Sequence, residues 1–154
     1  MKKIALVIAA FSLILASCDQ KMNREETQVN DTTQVAARDG VFYHISSGMD
    51  SPHNVVMALK MANLMAEDHD VLVYFDIKGI EVVLNDAEDI SYPTFPTANE
   101  SLQKLLDKGI TVFACPSCLE AAGKSEADLR QGVKIANKDA FFGFTKGRIL
   151  TLDY

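Results

Sequence analysis

Apolar and polar positions follow two alternating periods between residues 39 and 154, and each change of period marks an element. "GVFYHIS" (40–46) is rich in β-branched and aromatic residues and stops at Ser46-Ser47-Gly48, which predicts a first strand. Ser51-Pro52 then reads as a helix N-cap followed by proline at the first helical position, and "NVVMALKMANLMAE" continues apolar almost all round, as a largely buried helix does. "DVLVYFDIKG" (70–79) is a continuous apolar run closing at Gly79, the pattern of a strand covered on both faces. "IEVVLND" predicts a short helix, against the β preference of its branched residues. "DISYPTFPTAN" (89–99) carries two prolines and predicts irregular chain. Thr97 and Glu100 form a capping box for "ESLQKLLDKG", which Gly109 stops. "ITVFAC" is a third strand, Ser125 and Asp128 open another short helix ended by Gly132, and "VKIA" is a short fourth strand. Asn137 caps "KDAFFGFTKG", and "RILTLD" supplies a fifth strand.

Strands and helices in regular succession predict an α/β fold: three layers, a mainly parallel five-stranded sheet with helices on both faces. Such sheets bind ligands beyond the carboxyl ends of their strands, beside the switch in strand order. If the first and third strands are neighbours there, Ser46-Ser47-Gly48 and Cys115 face one crevice. The 116 residues from 39 to 154 suffice for one domain with a full core, and their two cysteines exclude a disulfide-stapled miniature.

The first 38 residues follow neither period. Met1-Lys2-Lys3 and the apolar stretch from Ile4 to Leu15 form a signal-peptide pattern, too short to span a bilayer comfortably. Leu15-Ala16-Ser17-Cys18 resembles the lipobox of bacterial lipoproteins, which implies cleavage after residue 17 and acylation of Cys18. The expected organisation is therefore a signal peptide at 1–17, a lipidated cysteine and flexible tether at 18–38, and a domain at 39–154. The expected location is the cell envelope, anchored to a bacterial membrane and facing the periplasm. "DQKMNREETQVNDTTQVAAR" (19–38) holds no Phe, Leu, Ile, Tyr, Gly or Pro, so it buries too little surface to offset the entropy of ordering it. Loss of residues 1–17 removes Lys2 and Lys3 and leaves 13 basic against 21 acidic side chains, a formal charge of −8. That charge argues against nucleic acid as a partner.

The candidate chemistry lies in "ITVFACPSCLEAAG" (110–123). Pro116 suits the first position of a helix, which leaves Cys115 at its N-terminus, where free N–H groups favour a thiolate, with Cys118 in resolving position. A zinc site needs more ligands than the pair supplies, and His44, His53 and His69 are all remote in sequence, so neither metal nor cofactor is expected. A disulfide across so small a loop would contribute only about 2 kcal/mol, so stability hardly requires one; an oxidised, inert pair remains an alternative. Thioredoxin places its redox motif early and follows it with a cis proline. Here only 36 residues follow Cys118, and none is proline. Among other groups, Ser46, Ser47, Gly48 and His53 are candidate binding residues at the strand edge. His44 reads as a packed, hydrogen-bonded histidine, Asp76 and Lys78 as solvated charges, and Phe141, Phe142 and Phe144 as core or oligomer contacts.

Taken in order, "VFYHISSGMD", "ALKMANLMA", "VLVYFDIKGIEVVL", "LQKLLDKGITVFACPSC" and "FTKGRILTLDY" resemble the DsrE/DsrF-like family across nearly all of 40–154. The resemblance implies a small five-stranded parallel domain that assembles into homo- or hetero-oligomers. In the family's sulfur-relay members, a cysteine after the strand that matches "ITVFAC" carries persulfide sulfur between proteins. Cys115 matches that position, which makes it the implied nucleophile and sulfur acceptor, with a sulfur-donor or thiol protein as partner. Two features depart from the relay members: the export signal, because relay for tRNA modification is cytoplasmic, and Cys118, which could resolve a persulfide to a disulfide. Two functions remain in view. One is a membrane-tethered thiol protein that accepts sulfur or electrons at Cys115. The other is a non-catalytic oligomeric binding or scaffolding module with inert cysteines.

Overall fold

Residues 37–154 are described by a computed structural model, and the expected signal segment, Cys18 and nearly all of the tether lie outside the described residues. Five parallel strands, β1 (Gly40–Ile45), β2 (Asp70–Phe75), β3 (Thr111–Ala114), β4 (Lys134–Ile135) and β5 (Ile149–Asp153), form one sheet in the order β4-β3-β2-β1-β5. The helices are α1 (Pro52–Met65), α2 (Ala98–Asp107), α3 (Pro116–Ala121) and α4 (Ala140–Gly143), with 3-10 turns at Ile77–Val83 and Glu126–Asp128.

Alternation along the strands sorts their side chains onto two unequal faces. Val41, Tyr43 and Ile45 of β1, Val71, Val73 and Phe75 of β2, and Val112 and Ala114 of β3 point into the main core. There they meet Val55, Val56, Leu59 and Ala62 of α1 and Leu102 and Leu105 of α2. The opposite face is thinner: Leu72, Phe113 and Ala136 are buried beneath half-exposed Phe42, Tyr74, Phe141 and Phe144. Helices thus lie on both faces of a three-layer fold, but one layer is a single helical turn.

The capping box of Thr97 and Glu100 forms as the spacing predicts, and Gly109 ends α2 in the left-handed region at φ 73°. Three expectations are corrected. Proline does open α1, yet the Ser51 hydroxyl makes no cap bond; backbone N–H groups of Asn54 and Val55 donate to its carbonyl instead. β2 stops at Phe75, and Gly79 belongs to the following 3-10 turn, where a Cβ would lie 2.2 Å from the Ile45 carbonyl oxygen. Strands β1 and β3 are not neighbours, because β2 lies between them.

Candidate functional site

The carboxyl ends of β1, β2, β3 and β5 converge on one edge, and register fixes what stands there. Asp153 of β5 pairs with His44 of β1, His44 with Tyr74 of β2, and Tyr74 with Phe113 of β3. Parallel pairing sets successive strands about 4.8 Å apart, so these side chains form a row across the sheet. The His44 and Tyr74 rings stack with centroids 5.8 Å apart. Nδ1 of His44 is 2.8 Å from Asp153 Oδ1, and Nε2 is 2.8 Å from Asp76 Oδ2, an ion-pair distance outside hydrogen-bond alignment. Burial alone lowers the His44 pKa, but the two carboxylates more than offset it and the pKa is raised. Asp76, read from sequence as a solvated charge, retains only 17% side-chain exposure.

Cys115 follows β3 directly. Its N–H donates to the Phe75 carbonyl at 2.9 Å, which continues the ladder and sets the thiol beside the end of β2. The thiol caps α3, where its sulfur accepts from the backbone N–H of Cys118 at 3.4 Å. Both cysteines are half-buried free thiols. Burial pushes the Cys115 thiol up. The Tyr74 hydroxyl, the Cys118 thiol and the backbone N–H groups of Cys118 and Ser117 together outweigh that effect, and its pKa is lowered. Cys118 goes the other way. Burial and the neighbouring Cys115 raise its pKa, the charge of Asp76 adds to the rise, and the Ile77 backbone N–H only partly opposes it. Burial, with the thiol and carboxylate charges nearby, also raises Tyr74, which keeps its hydroxyl a proton donor.

The fold therefore brings Cys115 and Cys118 together with Tyr74 and Asp76 beside them, and His44 and Asp153 continue the row across the sheet away from the thiols. The other expected binding residues are engaged within the protein itself. The N–H groups of Ser46 and Ser47 donate to the backbone oxygen of Tyr154 at 2.8 and 3.2 Å, so the donors expected to meet a ligand are engaged by β5's end. Gly48 packs against the Lys78 carbonyl. His53 stacks on Tyr92, with centroids 4.3 Å apart, and touches Phe95, on the helical side of the molecule. Among the described residues, no group of three or more His, Cys, Asp or Glu side chains is placed to hold a metal ion.

Sequence reasoning passed over the row Asp153, His44, Tyr74 as a site. Its signal was present: each is the fifth residue of its strand, polar or phenolic, in segments rich in apolar residues.

An α/β domain with a low-pKa cysteine at the carboxyl edge of a parallel sheet is the class that fold and site define. The sequence pattern of the DsrE/DsrF-like family matches residues 39–147, and the chain belongs to that family. Among solved structures, the fold is similar to the ychN protein of E. coli (TM-score 0.59, 18% identity, covering 75% of this chain and 99% of that one). It is also similar to MTH1491 of Methanobacterium thermoautotrophicum, a protein of unknown function (TM-score 0.52, 18% identity, the same coverage). A curated relative, the uncharacterised protein MJ0760 of Methanocaldococcus jannaschii, is 23% identical over 73 residues, 47% of this chain. The match spans about a quarter, 26%, of that relative's length.

Proposed function

We propose that the protein is a membrane-tethered thiol protein that accepts persulfide sulfur, or electrons, at Cys115, with Cys118 as the resolving thiol. The opposite environments of the two cysteines carry this reading: Cys115 is held towards thiolate and Cys118 towards thiol, three residues apart. The thiolate is the reacting species, so Cys115 attacks first and Cys118 acts second. In the first step the Cys115 thiolate attacks the outer sulfur of a donor persulfide. A bond forms from Sγ to that sulfur, the donor's S–S bond breaks, and the donor leaves as a thiolate. Family membership supports the sulfur reading, and the lipobox-like segment ending at Cys18 supports the anchor.

Thiol-specific alkylation and intact mass test the acceptor. Near neutral pH Cys115 should alkylate faster than Cys118. After a persulfide donor, Cys118→Ser should hold added sulfur and Cys115→Ser none, while the unmutated protein should lose its adduct to a disulfide. Equal, slow alkylation with no adduct in any variant would return the pair to an inert staple and favour the binding-module reading. The anchor has a separate test: Cys18→Ser should leave the membrane fraction or remain unprocessed, and undiminished detergent-phase partitioning would refute it.

A further inference from the structure

The resolving step sets a problem that the site's geometry answers. Cys118 must lose a proton before it can attack Cys115, yet its surroundings hold that proton on. Asp76 is built unlike an ordinary surface carboxylate. Its Oδ2 lies 2.8 Å from Nε2 of His44, and His44 is fixed from its far side by Asp153, so the carboxylate is oriented from behind. Its other oxygen, Oδ1, is buried and has no hydrogen-bond partner among the described residues. A buried carboxylate oxygen without a donor is costly, and such an acceptor needs an explanation. The next residue, Ile77, adopts the left-handed region at φ 46°, uncommon for a β-branched side chain. That turn directs its N–H to the sulfur of Cys118. Asp76 and Ile77 are thus consecutive residues beside the thiol pair: Asp76 directly follows Phe75, whose carbonyl accepts the Cys115 N–H, and its charge acts on Cys118 against the Ile77 N–H.

We propose that Asp76 is the base that accepts the Cys118 proton, directly or through one water, as Cys118 attacks Cys115. The inference rests on the acceptor and resolving roles assigned above. When Cys115 bears a persulfide, the proton passes from Cys118 to Asp76 and the Cys118 thiolate attacks Cys115 Sγ. The Sγ–Sγ bond forms, the bond from Cys115 Sγ to the outer sulfur breaks, and that sulfur departs as HS⁻ with the electron pair. The two cysteines together lose two electrons and the outer sulfur gains two. A dithiol reductant must then restore the pair, so the reaction that follows in sequence is a thiol–disulfide exchange. The Ile77 N–H, which faces the Cys118 sulfur, stabilises the thiolate while it forms.

The test is resolution measured with two leaving groups. Cys115 is loaded with a persulfide donor, or as a mixed disulfide with oxidised glutathione, and release of sulfide or glutathione is followed. Asp76→Asn removes a negative charge whose presence holds the Cys118 proton on, so a purely electrostatic role predicts faster release at pH 7. A base predicts slower release, by about 10²-fold, recovering as hydroxide replaces it at higher pH. In the Cys115→Ser background the same Asp76→Asn change should leave the far-ultraviolet circular dichroism and the final extent of Cys118 alkylation unaltered, showing that the thiol is accessible and the chain folded. Should Asp76→Asn not fold, the unmutated protein decides through its pH profile. Among the described residues, the titratable groups set against Asp76 are His44, with Asp153 behind it, Tyr74 and Cys118. Base-assisted release stays nearly level from neutral pH upward, whereas unassisted release climbs until Cys118 itself ionises. Unchanged or faster release in Asp76→Asn, or a steadily climbing profile in the unmutated protein, overturns the proposal. Asp76-dependent glutathione release without any persulfide adduct would sustain the base and defeat the sulfur reading. Failure of both loading reactions would defeat both.

Discussion

Tyr43 is among the largest side chains with no exposure, and its hydroxyl has no partner among the described residues. Burial, with a smaller effect from nearby Tyr154, pushes its pKa up from 10.0 to about 12. The fold thus holds this phenol neutral where an unfolded chain would ionise it. The stability this represents is complete below pH 10 and is lost as pH rises through about 12. Replacing the hydroxyl removes an unmet desolvation cost of about 1–3 kcal/mol while keeping the ring. Tyr43→Phe should therefore be at least as stable as the parent to urea at pH 7, and should lose part of the alkaline destabilisation between pH 10 and 12. A loss above about 1 kcal/mol at pH 7 would reveal a hydrogen bond that the hydroxyl makes after all.

Elements differed in how plainly the sequence displayed them. α2 was legible because its signals are local: the capping box and Gly109 act within one turn, and both form. The 3-10 turn at Ile77–Val83 was harder to read, because its fold is set from outside. Gly79 sits against the Ile45 carbonyl, which also accepts the Asp76 N–H, so the turn after Phe75 is held by a neighbouring strand's backbone. The site shows the same division. Cys115, Pro116 and Cys118 are adjacent in sequence and announced a helix-capping thiol. Tyr74, His44 and Asp153 are aligned across the sheet by parallel register, and no local pattern encodes which residues lie across from one another. His44 looked like a packed histidine, and it is packed; its two carboxylate partners were the unreadable part.

At the scale of the molecule the two faces of the sheet are unequally dressed. The main core lies under α1 and α2, while the thin face leaves Phe142 75% exposed beside a cleft of about 480 Å³ lined with Phe42, Phe141 and Ile149. β5 is an edge strand, with Ile149 and Leu150 exposed on it. An apolar patch continuous with an open strand edge invites pairing with another copy, which is the assembly we propose. Light scattering of residues 39–154, which hold the whole described core, should exceed the monomer mass, and Phe142→Asp should lower it. A monomer at high concentration would remove this assignment.

The clasp on His44 also bears on when the thiols become competent during synthesis. Asp153 is 109 residues downstream of the histidine it holds and belongs to the last strand added to the sheet. Contacts of such separation form late, because a long loop must close first. A nascent chain has both cysteines long before Asp153 emerges, and without that carboxylate His44 is not braced against Asp76. If Asp76 serves Cys118 as proposed, the resolving step therefore awaits docking of the final strand, whereas the capping contacts of Cys115 do not involve it.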